Sequence, residues 1–322
     1  MTVVGFHASH EQIHPSALLD AVALAEDVGF TAAMCSDHFA PWSAAQGHSA
    51  LAWAWLGAAL ERTSLPIGVV TAPGQRYHPA IVAQAAATLE AMHPGRHWVA
   101  LGSGEHVNEH ITGDPWPRKE VRDARLHECA RIIQDLLAGE EVSHDGLVTV
   151  DRARLWTRPD PPPAVLAAAV SPAKAAAAAA WADGLITVNQ PPEVLRDVLG
   201  AYRGAGGRGP TALQVHLSWA PDEDEALAIA LDQWRANAPG PPLTWEAATV
   251  EELDQVGALV GEEEIREAVL VSGDLKQHAA WLQERADLGF DQLYLHHVGQ
   301  DQRPFLDGFG EHVLPELEIT AP

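Results

Sequence analysis

Two short stretches carry residues that could do chemistry. The first, SDHFAPW (36–42), brings Asp37, His38 and Trp42 into one segment. An imidazole titrates near neutral pH and suits proton transfer. The second, GSGEHVNEH (102–110), puts Glu105 after a flexible Gly-Ser-Gly turn, with Asn108 one helical turn on. A carboxylic acid in a water-poor site has a raised pKa and can donate a proton. The same glutamate also suits the first turn of a helix, where the macrodipole favours an acid. His38 in turn could be a core histidine hydrogen-bonded to a neighbour. Eleven tryptophans are present, and Trp42, Trp53 and Trp55 fall near Phe39. They read either as core or as an aromatic wall for a planar ring. Among 17 histidines, His106 and His110 have the i, i+4 spacing of a zinc pair. No third ligand is identifiable and Glu109 does not make an HExxH pattern, so no metal is expected. A G-x-S-x-G nucleophile elbow is absent.

The elements that must position these residues are legible as short apolar runs, each followed by a helical pattern. The runs are VVGFHA (3–8), AAMCSD (32–37), PIGVVTA (66–72), HWVALGSG (97–104), AVLAAAV (164–170), GLITVN (184–189), LQVHLSWA (213–220) and QLYLHHV (292–298). Near-continuous apolarity points to strands buried on both faces, hence a parallel sheet. Amphipathic segments such as PSALLDAVALAEDVGF and RDARLHECARIIQDLLAG close on Gly29 and Gly139. Eight strand–helix alternations predict an α/β fold, a (β/α)8 TIM barrel. An open doubly wound sheet would show a Gly-rich fingerprint after the first strand, and HASHEQIHP is not one. Residues about 237 to 265 are Pro-rich, then acidic and helical, and read as an insertion before the last strand of a single domain spanning 1–322.

Barrel active sites lie at the C-terminal ends of the strands. That rule singles out His7 and Ser9, Asp37 and His38, Thr71 to Gly74, and Gly102 to Glu105. It also singles out Val170 and Ser171, Asn189 and Gln190, Trp219, and His296 and His297.

Acids outnumber bases 44 to 20, a net charge of −24 over 322 residues. Such a chain repels phosphate backbones and anionic lipid surfaces, so neither nucleic acid nor membrane is an expected partner. Cys35 and Cys129 lie in apolar patterns far apart and read as buried free thiols of a reducing compartment. The N-terminus MTVVGFHASH lacks a signal-peptide pattern, and no run of about 18 apolar residues is present. The expectation is a soluble cytoplasmic protein.

SDHFAPW, followed by QGHSALAWAWLGAALERTS, RYHPAIVAQAAATLEAMHPGR and GSGEHVNEHITGDPWP, resembles the luciferase-like monooxygenase superfamily. Within it the chain is most similar to the F420-dependent glucose-6-phosphate dehydrogenase branch, and LGFDQLYLHHVGQDQRPFLDGFGEHVLPEL matches that branch too. The resemblance implies a homodimer of TIM barrels, each binding a flavin or deazaflavin ring at its mouth. By the same resemblance His38 is the base for a substrate hydroxyl, Trp42 steadies the developing intermediate, and Glu105 protonates the ring. Asp37, Gly104 and Asn108 are implied on the cofactor side, as are Val70, Thr71 and Ala72 at the turn behind the ring.

The departures from that branch carry expectations of their own. GVVTAPGQRY is one residue shorter than the family's turn. Val170 and Ser171 replace a Gly-Gly pair near the cofactor tail. The lysine that clamps the sugar phosphate falls at Gln190, and a second falls near Arg266 or Glu267. Losing each charge-assisted hydrogen bond costs about 1.5–3 kcal/mol, so glucose 6-phosphate is not expected as substrate. The expected activity is hydride transfer between FMN or F420 and a small organic substrate, with Trp53 and Gln190 in the substrate pocket. AMCSDHFAPW, VVTAPGQRYHPAI and VALGSGEHVNEHITG are most similar to a subgroup of that branch proposed to use FMN in place of F420. The retained His38, Trp42 and Glu105 favour the deazaflavin, while the altered tail and bulge positions give a slight lean toward FMN. Two other activities fit the resemblance: a monooxygenase using reduced FMN and oxygen, and a non-catalytic flavin-binding barrel.

Overall fold

The computed structural model describes residues 2–317; Met1 and residues 318–322, the ends of the expected domain, lie outside the described residues. Its strands are β1 (Val3–Ala8), β2 (Ala32–Ser36), β3 (Ile67–Thr71), β4 (His97–Leu101), β5 (Val142–Asp145), β6 (Thr149–Ala153), β7 (Ala164–Ala168), β8 (Gly184–Val188), β9 (Thr211–Trp219), β10 (Leu270–Ser272) and β11 (Gln292–His297). The eight apolar runs correspond to β1–β4, β7–β9 and β11. These pair in the order β9-β11-β1-β2-β3-β4-β7-β8, and β8 returns to β9, closing an all-parallel ring.

Two features escaped the run-by-run reading. β5 and β6 form an antiparallel hairpin whose apolar content is low, though Asp145-Gly146 is a turn signal. β10 has three residues and pairs outside the ring with the far half of β9, at Leu270↔Leu217 to Ser272↔Trp219. It follows the 237–265 stretch, which folds as helices Leu243–Glu246, Val250–Gly257 and the start of Glu262–Ala268. Its buried residues Leu253 and Ile265 pack with Trp42, Trp234 and Val271.

Strand side chains alternate between two faces. The inner face carries Met34, Ala100, Leu166, Ile186, Ala212 and Tyr294, while Phe6, Val69, Val99, Leu213 and Leu295 face the surrounding helices. Two large rings fill the barrel, Trp98 and Tyr294, with centroids 5.8 Å apart. Each occupies the space above a glycine. A Cβ on Gly68 would lie 1.8 Å from the Trp98 indole, and one on Gly5 would lie 2.5 Å from the Tyr294 ring.

The sheet ladder runs past the strand ends and fixes the backbone at the mouth. Asp37 N–H donates to the Val70 carbonyl at 2.9 Å, and Gly102 N–H donates to the Thr71 carbonyl at 2.9 Å. Among the described residues, no helix is long and apolar enough to cross a membrane.

The glycine–indole contact gives a stability test. Gly68→Ala should destabilise the fold by about 1–3 kcal/mol, the usual range for overpacking a filled core. A urea midpoint equal to that of the parent chain would show that Trp98 moves without cost.

Candidate active site

A cavity of about 280 Å³ opens at the C-terminal end of the barrel, and residues from every ring strand or the loop after it line it. His38 lines it, held by its neighbours on the loops after β1, β2 and β4. β1 and β2 are parallel neighbours with Ala8 opposite Cys35, so the loops that follow them leave the barrel side by side. The loop after β1 delivers Glu11, whose Oε1 lies 2.7 Å from His38 Nδ1. The loop after β4 delivers Glu105, whose Oε2 lies 3.4 Å from His38 Nε2. Trp42 stands edge-on to the imidazole, with centroids 5.2 Å apart.

Burial alone would lower the His38 pKa. The charges of Glu11 and Glu105, with the Glu11 hydrogen bond, outweigh it and raise the pKa to about 9. Burial pushes the Glu11 carboxyl up, but the His38 charge and hydrogen bond bring it down to about 2. Ser9 Oγ donates to the other Glu11 oxygen at 2.8 Å. Glu105 moves the opposite way: burial raises its pKa, opposed by His38. Two carboxyls therefore flank one imidazole with their proton affinities driven apart, the arrangement that separates acid and base roles.

The neighbouring groups are held as firmly. Asn108 donates to Glu105 Oε2 at 3.0 Å, and its carbonyl accepts from the Phe39 and Ala40 amides at 2.8 and 3.2 Å. One side chain thus ties the His38 loop to the Glu105 loop. Asp37 accepts from Thr71 Oγ1 at 2.8 Å and pairs with Arg76 at 3.5 Å. Burial nonetheless raises its pKa. Arg76 also meets Glu109, through its backbone amide at 2.7 Å and its side chain at 3.5 Å.

The deep wall is built of neutral rings. His7 stacks on His296 at 4.3 Å, and Trp234 lies 4.7 Å from both His216 and His296. Burial lowers the pKa of His7 to about 4 and that of His216 to about 3, and drives His296 down as well.

On the outer side the cavity continues past Gly102, Ser103 and Val170 to Lys119, Asp123, Leu126, Lys174 and Trp181. Lys174 donates to Asp123 at 2.6 Å, Lys119 pairs with the same carboxylate, and Lys119 reaches Ser103 Oγ at 3.2 Å. Only three lysines occur in the whole sequence, and two of them are here.

Of the residues singled out in the sequence, His38, Glu105, Trp42, Asp37, Val70, Thr71, Ala72, Gly104, Asn108 and Val170 line this cavity. Trp53, Gln190 and Ser171 do not. Trp53 sits in the helix layer, edge-on to His97 at 6.0 Å. The Gln190 amide turns back onto Thr187 and Val188 at 3.4 and 3.5 Å. Ser171 stands at the N-terminus of the helix Pro172–Ala178. Strand alternation also divides the paired candidates: His296 faces the cavity, while His297 stacks on Phe305 at 5.0 Å. Trp219 likewise faces the helices, toward Phe309. His106 stacks on Trp116 at 5.1 Å and holds a backbone carbonyl.

Sequence reasoning missed Glu11, Arg76, Lys119, Asp123, Lys174, His216 and Trp234. Glu11 had a usable signal, an acid three residues past the end of β1. The lysines had another, their scarcity in an acidic chain.

The profile of the luciferase-like monooxygenases matches residues 1–292. The F420-dependent glucose-6-phosphate dehydrogenase of Microbacterium testaceum (strain StLB037) is 36% identical over 328 residues, covering 97% of this chain and 96% of the relative. An F420-dependent secondary alcohol dehydrogenase, solved with an F420–acetone adduct, superposes with a TM-score of 0.91 at 30% identity, covering 99% of this chain and all of the other. The F420-dependent tetrahydromethanopterin reductase of Methanopyrus kandleri shares the fold at 20% identity and a TM-score of 0.75, covering 98% and 99% of the two chains. F420 stands in all three names. With a matching profile over most of its length and a relative this similar along nearly the whole chain, the protein belongs to the luciferase-like monooxygenase family and is an oxidoreductase of it.

Proposed function

We propose that the protein is an F420-dependent oxidoreductase acting on a small uncharged alcohol or its carbonyl counterpart, and not on glucose 6-phosphate. The observation that carries this reading is His38, ion-paired through one nitrogen to buried Glu11 while the other faces Glu105 at the cavity. When bound, the deazaflavin supplies the hydride acceptor or donor. The lean toward FMN drawn from the loop departures finds no support among the relatives and is given up.

The residues present fit such a group. Gly102 keeps the backbone open at the mouth: a Cβ there would lie 3.8 Å from Ala168 and 3.9 Å from the Thr71 carbonyl, in the gap between them. Val70, Ala72, Ala168 and Val188 offer an apolar wall. Lys119 and Lys174 offer the positive charge that an anionic tail requires.

The substrate side lacks that charge. Arg76 is taken up by Asp37 and Glu109. Arg266, where the family carries a phosphate lysine nearby, pairs with Glu223 and Glu262 at 3.0 and 2.9 Å. The histidines of the deep wall are neutral. A phosphate dianion would there replace its hydration with rings and carboxylates, an unfavourable exchange.

The proton work falls to His38 and Glu105. His38 is charged below about pH 9, so in carbonyl reduction its Nε2 holds the proton that the substrate oxygen receives. In alcohol oxidation it must first be neutral, and Nε2 then takes the hydroxyl proton. Glu11 keeps Nδ1–H oriented in both directions. Burial favours the protonated form of Glu105, which makes it a donor on the cavity side. Trp42 walls the His38 side against water.

Four outcomes follow. The purified chain should bind F420, seen by fluorescence, more tightly than FMN; preferential FMN binding would overturn the cofactor assignment. His38→Ala should lower turnover by about 10²- to 10⁴-fold and leave F420 affinity intact; unchanged turnover would remove His38 from the mechanism. Alcohol oxidation should rise with pH and level above about 9, and carbonyl reduction should fall over the same range. Glu11→Gln removes a charge that raises the His38 pKa, so both limbs should move to lower pH. Limbs that stay in place would mean that Glu11 does not set the His38 titration.

A further inference from the structure

The outer rim of the cavity is roofed by a segment that enters none of the chemistry above. Residues Asn237, Gly240, Pro241, Thr244 and Trp245 line the cavity from the side of the 237–265 stretch. The next residue, Glu246, turns away from the cavity onto the opposite rim. Its Oε1 accepts from Arg122 Nη2 at 2.7 Å, and its Oε2 accepts from Trp116 Nε1 at 3.0 Å and Arg122 Nη1 at 3.4 Å. The ring nitrogen of His106 meets the Glu246 carbonyl at 3.1 Å. Among the described residues, each hydrogen bond tying residues 237–247 to the opposite rim ends on Glu246.

The receiving side is rigid. The Arg122 side chain is fully buried, its Nη1 also donates to the Pro117 carbonyl at 2.8 Å, and its guanidinium lies 4.3 Å over the Trp116 ring. Arg122 also shares one helical turn with Lys119 and Asp123, which belong to the outer end of the cavity. Lys119 in turn lies 5.4 Å from the roof's Trp245 ring. The roof and the cationic end of the cavity are therefore anchored to the same turn of one helix.

We propose that Glu246 is a positioning residue: it latches residues 237–247 over the outer cavity and sets how fast a bound ring-and-tail cofactor leaves. The proposal rests on the cofactor reading above. Release requires the roof to lift, and lifting breaks two hydrogen bonds to Arg122, one to Trp116 and the His106 contact with the Glu246 carbonyl together. Buried Arg122 would then keep the Pro117 carbonyl alone as its hydrogen-bond acceptor. That asymmetry favours the closed arrangement, because a buried guanidinium is costly to leave half-partnered.

The test is the dissociation rate of F420 from the loaded enzyme, followed by its fluorescence on dilution or displacement. It is paired with hydrogen exchange of residues 237–247 in the cofactor-free chain. Glu246→Gln should raise the off-rate about tenfold or more, the effect of weakening one charge-assisted hydrogen bond, and should speed exchange across the roof. Trp116→Phe removes one bond to Glu246 without stranding a buried charge and should give an intermediate rate. It also carries the test if the Glu246 variant folds poorly. Off-rates within about twofold of the parent in the folded variants would overturn the latch. A parent chain that binds neither F420 nor FMN would instead overturn the cofactor reading, and the latch with it.

Discussion

A buried carboxylate against a buried imidazole is the contact on which this structure turns. Removing both ions from water costs several kcal/mol each, and their mutual attraction repays it only with good geometry and further hydrogen bonds. Here the geometry comes from the barrel itself. β1 and β2 are adjacent and in register, so Glu11 and His38 meet without either loop having to reach. Ser9 satisfies the second oxygen of Glu11, and Glu105 takes the other face of His38. Asn108 then couples the Glu105 loop to the backbone of the His38 loop. A change in any of these loops is felt at the imidazole, and this explains why so many backbone amides in the region are bound by side chains.

Much of the frame was legible because parallel barrels write it plainly. Strands buried on both faces read as apolar runs, and eight such runs with intervening helices leave few alternatives. The rule that barrel sites lie at strand ends pointed to His38 and Glu105, and both line the cavity. It could not decide between adjacent residues, since orientation depends on the pleat. His296 and His297 illustrate this: one lines the cavity, and the other packs in the helix layer. Gln190 and Ser171 misled in a related way. Each sits just past a strand where the chain is already entering a helix; Gln190 folds back onto Thr187 and Val188, and Ser171 takes the helix N-terminus.

What sequence could not supply was partnership across long separations. Glu11 matters because of where His38 is, and Arg122 because of Glu246, 124 residues away. Nothing in the local pattern of either residue announces its partner. The β5–β6 hairpin and β10 escaped for a different reason. The hairpin strands, VSHD and TVDRA, are largely polar and leave a weak hydropathy trace, whereas β10 is apolar and buried but only three residues long. The lean toward FMN, which the relatives do not support, weighed side-chain changes at the loops after β3 and β7. Val70, Thr71, Ala72 and Val170 all line the cavity.

Charge gives the last connection. A protein with a net charge of −24 repels anions at long range, yet the proposed cofactor is anionic. Screening limits that repulsion to about 8 Å at physiological salt, so a local cationic patch suffices. Lys119 and Lys174 form that patch, two of the three lysines in the sequence. Asp123 lies between them, and although burial works against it, the two lysines hold its carboxyl below the usual range. Two ammonium groups held together with nothing between them would repel each other and spread apart. The shared carboxylate holds them in place and leaves a net single positive charge at the end of the cavity. The proposed anionic tail would meet a pair of ammonium donors already held in place by Asp123. At the proposed substrate end the His38 charge is balanced by Glu11 and the remaining rings are neutral, so the acidic field works against a phosphorylated competitor there. In the proposed function, an anionic cofactor and an uncharged substrate are matched to where these charged side chains sit along one cavity.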